Sequence, residues 1–299
     1  MRRPRWLPAL LAALALLGGA GCGSTGPRPA RGGAPASKPS APSAPARPAF
    51  RPLSVPQRFA THAVRVPILT YHRVHAYATE LKKSTPDLTV EPGTFQAEME
   101  ALHRAGYRTV TQRQLFDAMY GGAALPPKPV IVSVDDGYVD DVTEILPVLR
   151  RLGMTATFYV ITGRTHEQGF LSSDQIRQLE AAGMDVGAHT RTHADLPVLP
   201  AARRRSEIDG SASDLRQILG HPVYWFAYPY GAFDPAVVAA VRRAGFLLAV
   251  TTKAGTTAST SAPLEIPRIH VGRSATAATV LGLVAGSGSG PQPSAGSAG

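Results

Sequence analysis

A parallel α/β fold is predicted by three features of this chain. Five glycines (Gly106, Gly153, Gly183, Gly220 and Gly245) each close an amphipathic stretch and are soon followed by a short apolar run. That is the helix-then-strand rhythm of such folds, with glycine supplying the left-handed stop. Recognisable helix starts stand ahead of some of these stops. Finally, the polar residues of most chemical interest cluster where apolar runs end, and the C-terminal rim of a parallel barrel or sheet is where such folds build their sites.

In chain order, Val66–Tyr71 is the first candidate strand. Phe95, Met99 and Leu102 then recur at helical spacing before Gly106. Val130–Val134 is a nearly continuous apolar run, as expected of a strand covered on both faces. After Gly153 comes the strand Ala156–Val160. Ser172 and Gln175 form a capping box ahead of Ile176 and Leu179, and Gly183 ends that helix before the strand Asp185–Ala188. Gly220 precedes the strand Trp225–Ala227, whose Trp225 reads as core packing. Asp234-Pro235 opens the helix that stops at Gly245. Phe246–Thr251 and Glu265–Ile269 are the last two strands. No internal repeat appears beyond this rhythm.

The two ends of the chain differ in kind. Met1–Arg5 carries three arginines and Leu7–Leu17 is almost pure Leu/Ala, the n- and h-regions of a signal peptide and too short to span a bilayer. The run stops at Gly18-Gly19-Ala20-Gly21-Cys22, with the only cysteine of the chain. Residues 1–21 are therefore expected to be a lipoprotein signal, with Cys22 the lipidated N-terminus, resembling the lipobox of bacterial lipoproteins except at Gly19. An ordinary secretory signal is the alternative. Either way the protein is expected outside the cytoplasm. Residues 22–58, rich in Pro, Ala and Ser, read as a tether, residues 59–285 as one domain, and residues 286–299 as a Gly/Ser/Pro tail.

Nearly all of the formal charge of +10 belongs to the leader and tether, whose residues 1–58 hold 9 basic residues and no acid. Met1–Thr79 holds 11 of the 31 basic residues and no acid, while the remainder sets 20 basic against 21 acidic residues. A nucleic-acid partner is therefore excluded for the folded part; the expected contacts are a membrane, through the lipid, and a substrate, by a monomer.

Three clusters carry chemistry: Ser133-Val134-Asp135-Asp136-Gly137, His189-Thr190-Arg191-Thr192-His193 and Tyr228-Pro229-Tyr230-Gly231. Each is weak alone. Asp-Asp-Gly after a strand is often only a turn, and His pairs at this spacing also occur on solvated helices. Together, in order and at strand ends, they suit a hydrolytic metal site. One carboxylate and two imidazoles can hold a divalent metal with positions left open, and the adjacent carboxylate can serve as general base.

From Pro67-Ile68-Leu69-Thr70-Tyr71-His72 to about Arg273 the chain resembles the polysaccharide deacetylases of the NodB-homology type, carbohydrate esterase family 4. The family's Thr-Phe-Asp-Asp-Gly reads here Ser133-Val134-Asp135-Asp136-Gly137, and its His-Ser/Thr-x-x-x-His is His189–His193. The resemblance implies a distorted (β/α) barrel of about seven parallel strands. It implies that Asp136, His189 and His193 hold a metal, usually Zn²⁺, with Co²⁺, Ni²⁺ or Mn²⁺ as substitutes. It makes Asp135 the acceptor of the attacking water's proton, the Tyr230 backbone N–H an oxyanion donor, and His270 the acid for the leaving amine. His72 and Tyr228 are candidates for the sugar site, with a buried structural role as the alternative for His72.

Two departures stand out. Where the family commonly has an arginine that orients the base, this chain has Ala227; Arg268 is a candidate both for that arginine's place and for the substrate. The Asp-x-x-x-Trp motif has no counterpart in Phe246–Thr251, which leaves the group that tunes His270 unassigned. The Tyr-Pro-Tyr-Gly variant is similar to the branch acting on poly-β-1,6-N-acetylglucosamine. The expected activity is removal of N-acetyl groups from such a polymer. The alternatives are peptidoglycan or chitooligosaccharide, then acetyl-xylan, and, from another class, a non-catalytic glycan-binding lipoprotein.

Overall fold

The structure, a computed structural model, describes residues 52–56, 62–77 and 86–286. Cys22, the signal and most of the tether and tail lie outside them. Seven parallel strands close into a barrel: β1 (Ile68–Tyr71), β2 (Pro129–Asp136), β3 (Thr157–Val160), β4 (Asp185–Ala188), β5 (Trp225–Ala227), β6 (Leu248–Ala254) and β7 (Ile266–His270). Each strand pairs with the next in sequence, and β7 returns to β1 through Ile269 opposite Leu69 and His270 opposite Thr70. The register between β6 and β7 shifts between Val250 and Ala254. All seven expected strands are present, two with the boundaries read from the sequence.

Among the described residues seven α-helices accompany them: α1 (Pro92–Arg104), α2 (Gln112–Gly121), α3 (Leu146–Leu152), α4 (Ser173–Ala181), α5 (Ala201–Leu219), α6 (Pro235–Arg243) and α7 (Ala277–Ala285). The five stop glycines all have positive φ, from 63° to 92°. Ser172 and Gln175 make the reciprocal capping box at α4, and Asp234 caps α6 by accepting from Val237 N–H.

Helices α2 and α7 were not anticipated. Both carry local signals: Thr111 and Gln114 form a second capping box, and Thr276 caps α7, which ends at the left-handed Gly286. Residues 122–128 separate α2 from β2, and no strand follows α7 among the described residues, so a glycine stop leading soon into a strand marks neither. Sequence reading also placed Asp135 and Asp136 after the second strand, whereas they are its last two residues.

Two separate apolar cores follow from the period-2 alternation of strands. Val130, Val132 and Val134 of β2 face the surrounding helices. Ile131 faces inward, with Ile68, Tyr159, Trp225, Ala227, Leu248, Val250 and Ile266. The inner cluster continues into Leu115, Phe116, Met119 and Tyr120 of α2. Phe116 lies 6.5 Å, ring to ring, from Trp225, the first residue of β5, so α2 closes the N-terminal mouth of the barrel. The interior is thus apolar at its base, which leaves the opposite rim for polar groups.

Candidate active site

The same alternation delivers the polar groups to the upper interior. On β2, Ser133 and Asp135 continue the inward face of Ile131; on β7, Arg268 and His270 continue that of Ile266. His72 follows β1 in step with Ile68, and His189 follows β4 in step with Gly187, where a Cβ would stand 2.6 Å from the Tyr159 ring. Asp136 has the outward parity. Its backbone leaves the extended region, at φ 82°, and turns the carboxylate back to the rim. Gly137 follows at φ 77°, and a Cβ there would stand 3.1 Å from Val160 Cγ1, so little room exists for a side chain.

Asp136, His189 and His193 bring one ligand atom each to within 4.8 Å of one another. His189 Nε2 is 3.6 Å and His193 Nε2 3.7 Å from Asp136 Oδ1. The Nδ1 of His189 meets the Ala227 carbonyl at 2.8 Å, which fixes the ring and aims Nε2 at the carboxylate. Burial lowers the pKa of His189 to about 4 and that of His193 to about 3, so both rings are neutral and offer a lone pair. Asp136, pushed up to about 7 by burial and then by the Asp135 charge, has a buried Oδ1 with no hydrogen-bond partner. An orphaned carboxylate oxygen facing two neutral imidazoles fits a divalent cation.

This geometry is held against backbone preference. Of the six non-glycine residues with positive φ among those described, four are here: Asp136, Thr190, His193 and Tyr230. Thr190 is β-branched, for which φ 62° is a true outlier. Such conformations cost on the order of 1–3 kcal/mol each and persist only where the surroundings over-determine them.

Behind the triad, Asp135 is gripped by Arg268. Nη1 donates to Oδ1 at 2.8 Å and Nη2 to Oδ2 at 2.7 Å, while Nε donates to the Thr251 carbonyl and Nη1 also to Ser133 Oγ. Burial pushes the Asp135 carboxyl up, but the Arg268 charge and hydrogen bonds outweigh this and hold it well below the usual carboxylate range. Ala227, where the family commonly has arginine, contributes its carbonyl to His189 instead, and the guanidinium reaches Asp135 from β7.

The acid side also comes into view. His270 lies 6.0 Å, ring to ring, from His72, whose Nε2 is 4.0 Å from Asp135 Oδ2. The Nε2 of His270 is 3.5 Å from a carboxylate oxygen of Asp87, just beyond a hydrogen bond. Gly272 makes this approach possible, since a Cβ there would stand 2.6 Å from Asp87 Oδ1 and 3.1 Å from His270 Nε2. Asp87 belongs to a short 3-10 turn, Pro86–Leu88, and no pattern in the sequence marks it. Burial lowers the His270 pKa and the Asp87 charge partly restores it.

Two expected substrate contacts are placed elsewhere. Tyr228 is 1% exposed. It continues the outward face of Phe226, packs in the helix-side core and donates its hydroxyl to the Leu264 carbonyl. Arg268 is 3% exposed and fully engaged with Asp135, Ser133 and Thr251, beyond reach of a glycan. Tyr230 is the exposed aromatic of the rim, 61% accessible, with its ring 4.5 Å from that of His193. Gly231 behind it packs so closely on Thr252 that a Cβ would overlap it.

Comparison with known proteins gives a consistent picture. Residues 122–249 match the polysaccharide deacetylase family. The protein YxkH of Bacillus subtilis (strain 168), which carries the name of a polysaccharide deacetylase, is 26% identical over 207 residues, 69% of this chain and 71% of YxkH. The Streptococcus pyogenes deacetylase PplD, solved in complex with acetate, superposes with a TM-score of 0.69 at 25% identity, over 75% of this chain and 99% of PplD. IcaB from Ammonifex degensii superposes with a TM-score of 0.62 at 27% identity, over 74% of this chain and 96% of IcaB.

Proposed function

We propose, on the premise that this chain carries a polysaccharide deacetylase domain of the NodB-homology type, that it hydrolyses the N-acetyl groups of N-acetylglucosamine units in an extracellular polysaccharide, with a β-1,6-linked polymer as its preferred substrate. The observation that carries the catalytic reading is Asp135, a buried carboxylate held ionised by Arg268 beside the candidate ligands. A glycan-binding module has no use for such a base. The Tyr228-Pro229-Tyr230-Gly231 variant supports the β-1,6 linkage, and peptidoglycan or chitooligosaccharide is the runner-up.

Asp136, His189 and His193 would hold the divalent metal. When bound, it supplies Lewis acidity to the acetyl carbonyl and to the attacking water. Asp135 accepts that water's proton as the oxygen bonds to the acetyl carbon. Because its own basicity is low, its contribution lies in position, and Arg268 provides that. The Tyr230 backbone N–H is the proposed donor to the developing oxyanion. His270 gives a proton to the sugar nitrogen as the C–N bond breaks, leaving acetate and a free amine.

The test is acetate release by the purified protein, stripped with chelator and then reloaded with Zn²⁺ or Co²⁺. Activity is expected to vanish and return, with kcat/KM highest on long β-1,6 oligomers. Undiminished turnover in metal-free protein would sink the mechanism, and equal or higher kcat/KM on chitin oligosaccharides would promote the runner-up.

Asp87 supplies a prediction in pH. Its charge raises the His270 pKa, so Asp87→Asn lets that pKa fall further. An acid must be protonated to act, so the alkaline limb of kcat moves to lower pH. The Asp87 side chain is 60% exposed. Solvent therefore screens the effect, and a small shift toward lower pH is expected, with KM little changed. An alkaline limb that stays in place would remove Asp87 from the reaction.

A further inference from the structure

We infer that Glu207 and Asp214, on the outer helix α5, are positioning residues for the metal ligand His193. The inference rests on the metal site proposed above and extends it to a helix that none of the sequence motifs includes.

The loop from Thr190 to His193 is strained at both ends, with φ 62° at Thr190 and 59° at His193. Its own contacts do not account for that shape, since within it only the Thr190 hydroxyl accepts from His193 N–H. Helix α5 supplies the rest. Glu207 is buried, and one carboxylate oxygen accepts from the backbone N–H groups of Arg191 (3.0 Å) and Thr192 (2.8 Å), while the other accepts from the Thr192 hydroxyl (2.9 Å). Asp214 accepts both ends of the Arg191 guanidinium, at 2.9 and 2.7 Å, and also the Thr162 hydroxyl at 2.7 Å.

Between them, Gly210 lies so close to Arg191 that a Cβ would stand 2.6 Å from Nε. Positions 207, 210 and 214 are spaced three and four apart, so they share one helical face, and that face carries the loop. From the opposite side, Thr162 N–H donates to the Thr190 carbonyl and Gly163 N–H to the Arg191 carbonyl. The loop is therefore clamped between α5 and the segment after β3, and the clamp forces the left-handed residues that aim His193 Nε2 at Asp136.

The chemistry of position 207 separates a positioning role from mere packing. Glu207→Met fills similar space and leaves two buried N–H groups unpaired. Glu207→Gln keeps one carbonyl oxygen for those two N–H groups and can donate its amide to the Thr192 hydroxyl. Zn²⁺ affinity, measured by competition with a chromophoric chelator on the full-length protein, is expected to fall about 10–100-fold in Glu207→Met, the usual range for residues supporting a metal ligand. Glu207→Gln should stay within about threefold of wild type, and in a His193→Ala background Glu207→Met should have no further effect.

Wild-type affinity in Glu207→Met, or an equal loss with His193 already removed, overturns the inference. If Glu207→Met does not fold by circular dichroism, Asp214→Asn carries the test. A loss of about tenfold is then expected, and unchanged affinity overturns the proposal. A wild-type protein that binds no Zn²⁺ overturns the metal site itself, an outcome distinct from a Zn²⁺-binding wild type indifferent to Glu207.

Discussion

Asp135→Asn is expected to retain metal near the wild-type level and to lose about 10²–10⁴-fold in kcat, the contribution typical of a positioned general base. The amide has nearly the size of the carboxylate but accepts no proton at neutral pH. It also disturbs the Arg268 grip, because two guanidinium N–H groups now donate to one carbonyl oxygen while an NH₂ faces the other. Some loss of stability is expected for that reason, since an unmatched charge in a buried pair is costly. Asp136→Asn should behave in the opposite order and lose metal first, because its Oδ1 faces both imidazoles. Metal content by elemental analysis, beside kcat on the same samples, separates the two. Equal metal loss in both variants would mean that base and ligand are assigned the wrong way round.

Arg268→Met carries the largest expected effect on stability. The guanidinium is enclosed in the barrel, and its removal strands Asp135 as an unpaired buried carboxylate. Breaking such a pair costs about 3–5 kcal/mol. For a domain of this size that corresponds to a drop in Tm of roughly 6–20 °C. The pH dependence follows from the sign of the shift. In the wild type the folded-state pKa of Asp135 is depressed, so the pair stabilises the fold above the unfolded pKa and the benefit fades as pH falls toward the folded value. In Arg268→Met burial, the largest influence on Asp135, loses its main opponent and raises that pKa, so folding is penalised at neutral pH and relieved once the carboxyl is protonated in both states. Thermal unfolding at pH 7 and pH 4 should show the greater difference between variant and wild type at pH 7. An equal difference at both pH values would mean that packing, not charge, is what Arg268 provides. Arg268→Lys should recover only part of the loss, because an ammonium cannot reproduce the two-pronged geometry.

Much of this architecture was legible before any coordinates. The strands are short apolar runs that begin soon after a glycine, and both signals are local. The candidate ligands were legible for the same reason: Asp136, His189 and His193 sit in compact motifs, and their place at strand ends needs only the rhythm of the chain. The misreading of Tyr228 was avoidable. It stands one residue after inward-facing Ala227, and alternation alone sends its side chain to the helix layer. Asp136 has the outward parity too, yet reaches the site through a left-handed turn that no periodicity announces.

By itself, then, the sequence determined the parallel barrel and singled out the three residues, Asp136, His189 and His193, that the candidate metal site brings together, because secondary structure and short motifs are written in neighbouring residues. Only the tertiary structure decided what steadies those groups. Arg268 meets Asp135 across 133 positions of chain, Asp87 reaches His270 through the gap at Gly272, and Glu207 holds the His193 loop from an outer helix. Each pairing depends on barrel closure, strand register and the rotation of a helix about its axis. Those are fixed by the packing of many apolar side chains at once, and no stretch of sequence around any one of these residues contains them.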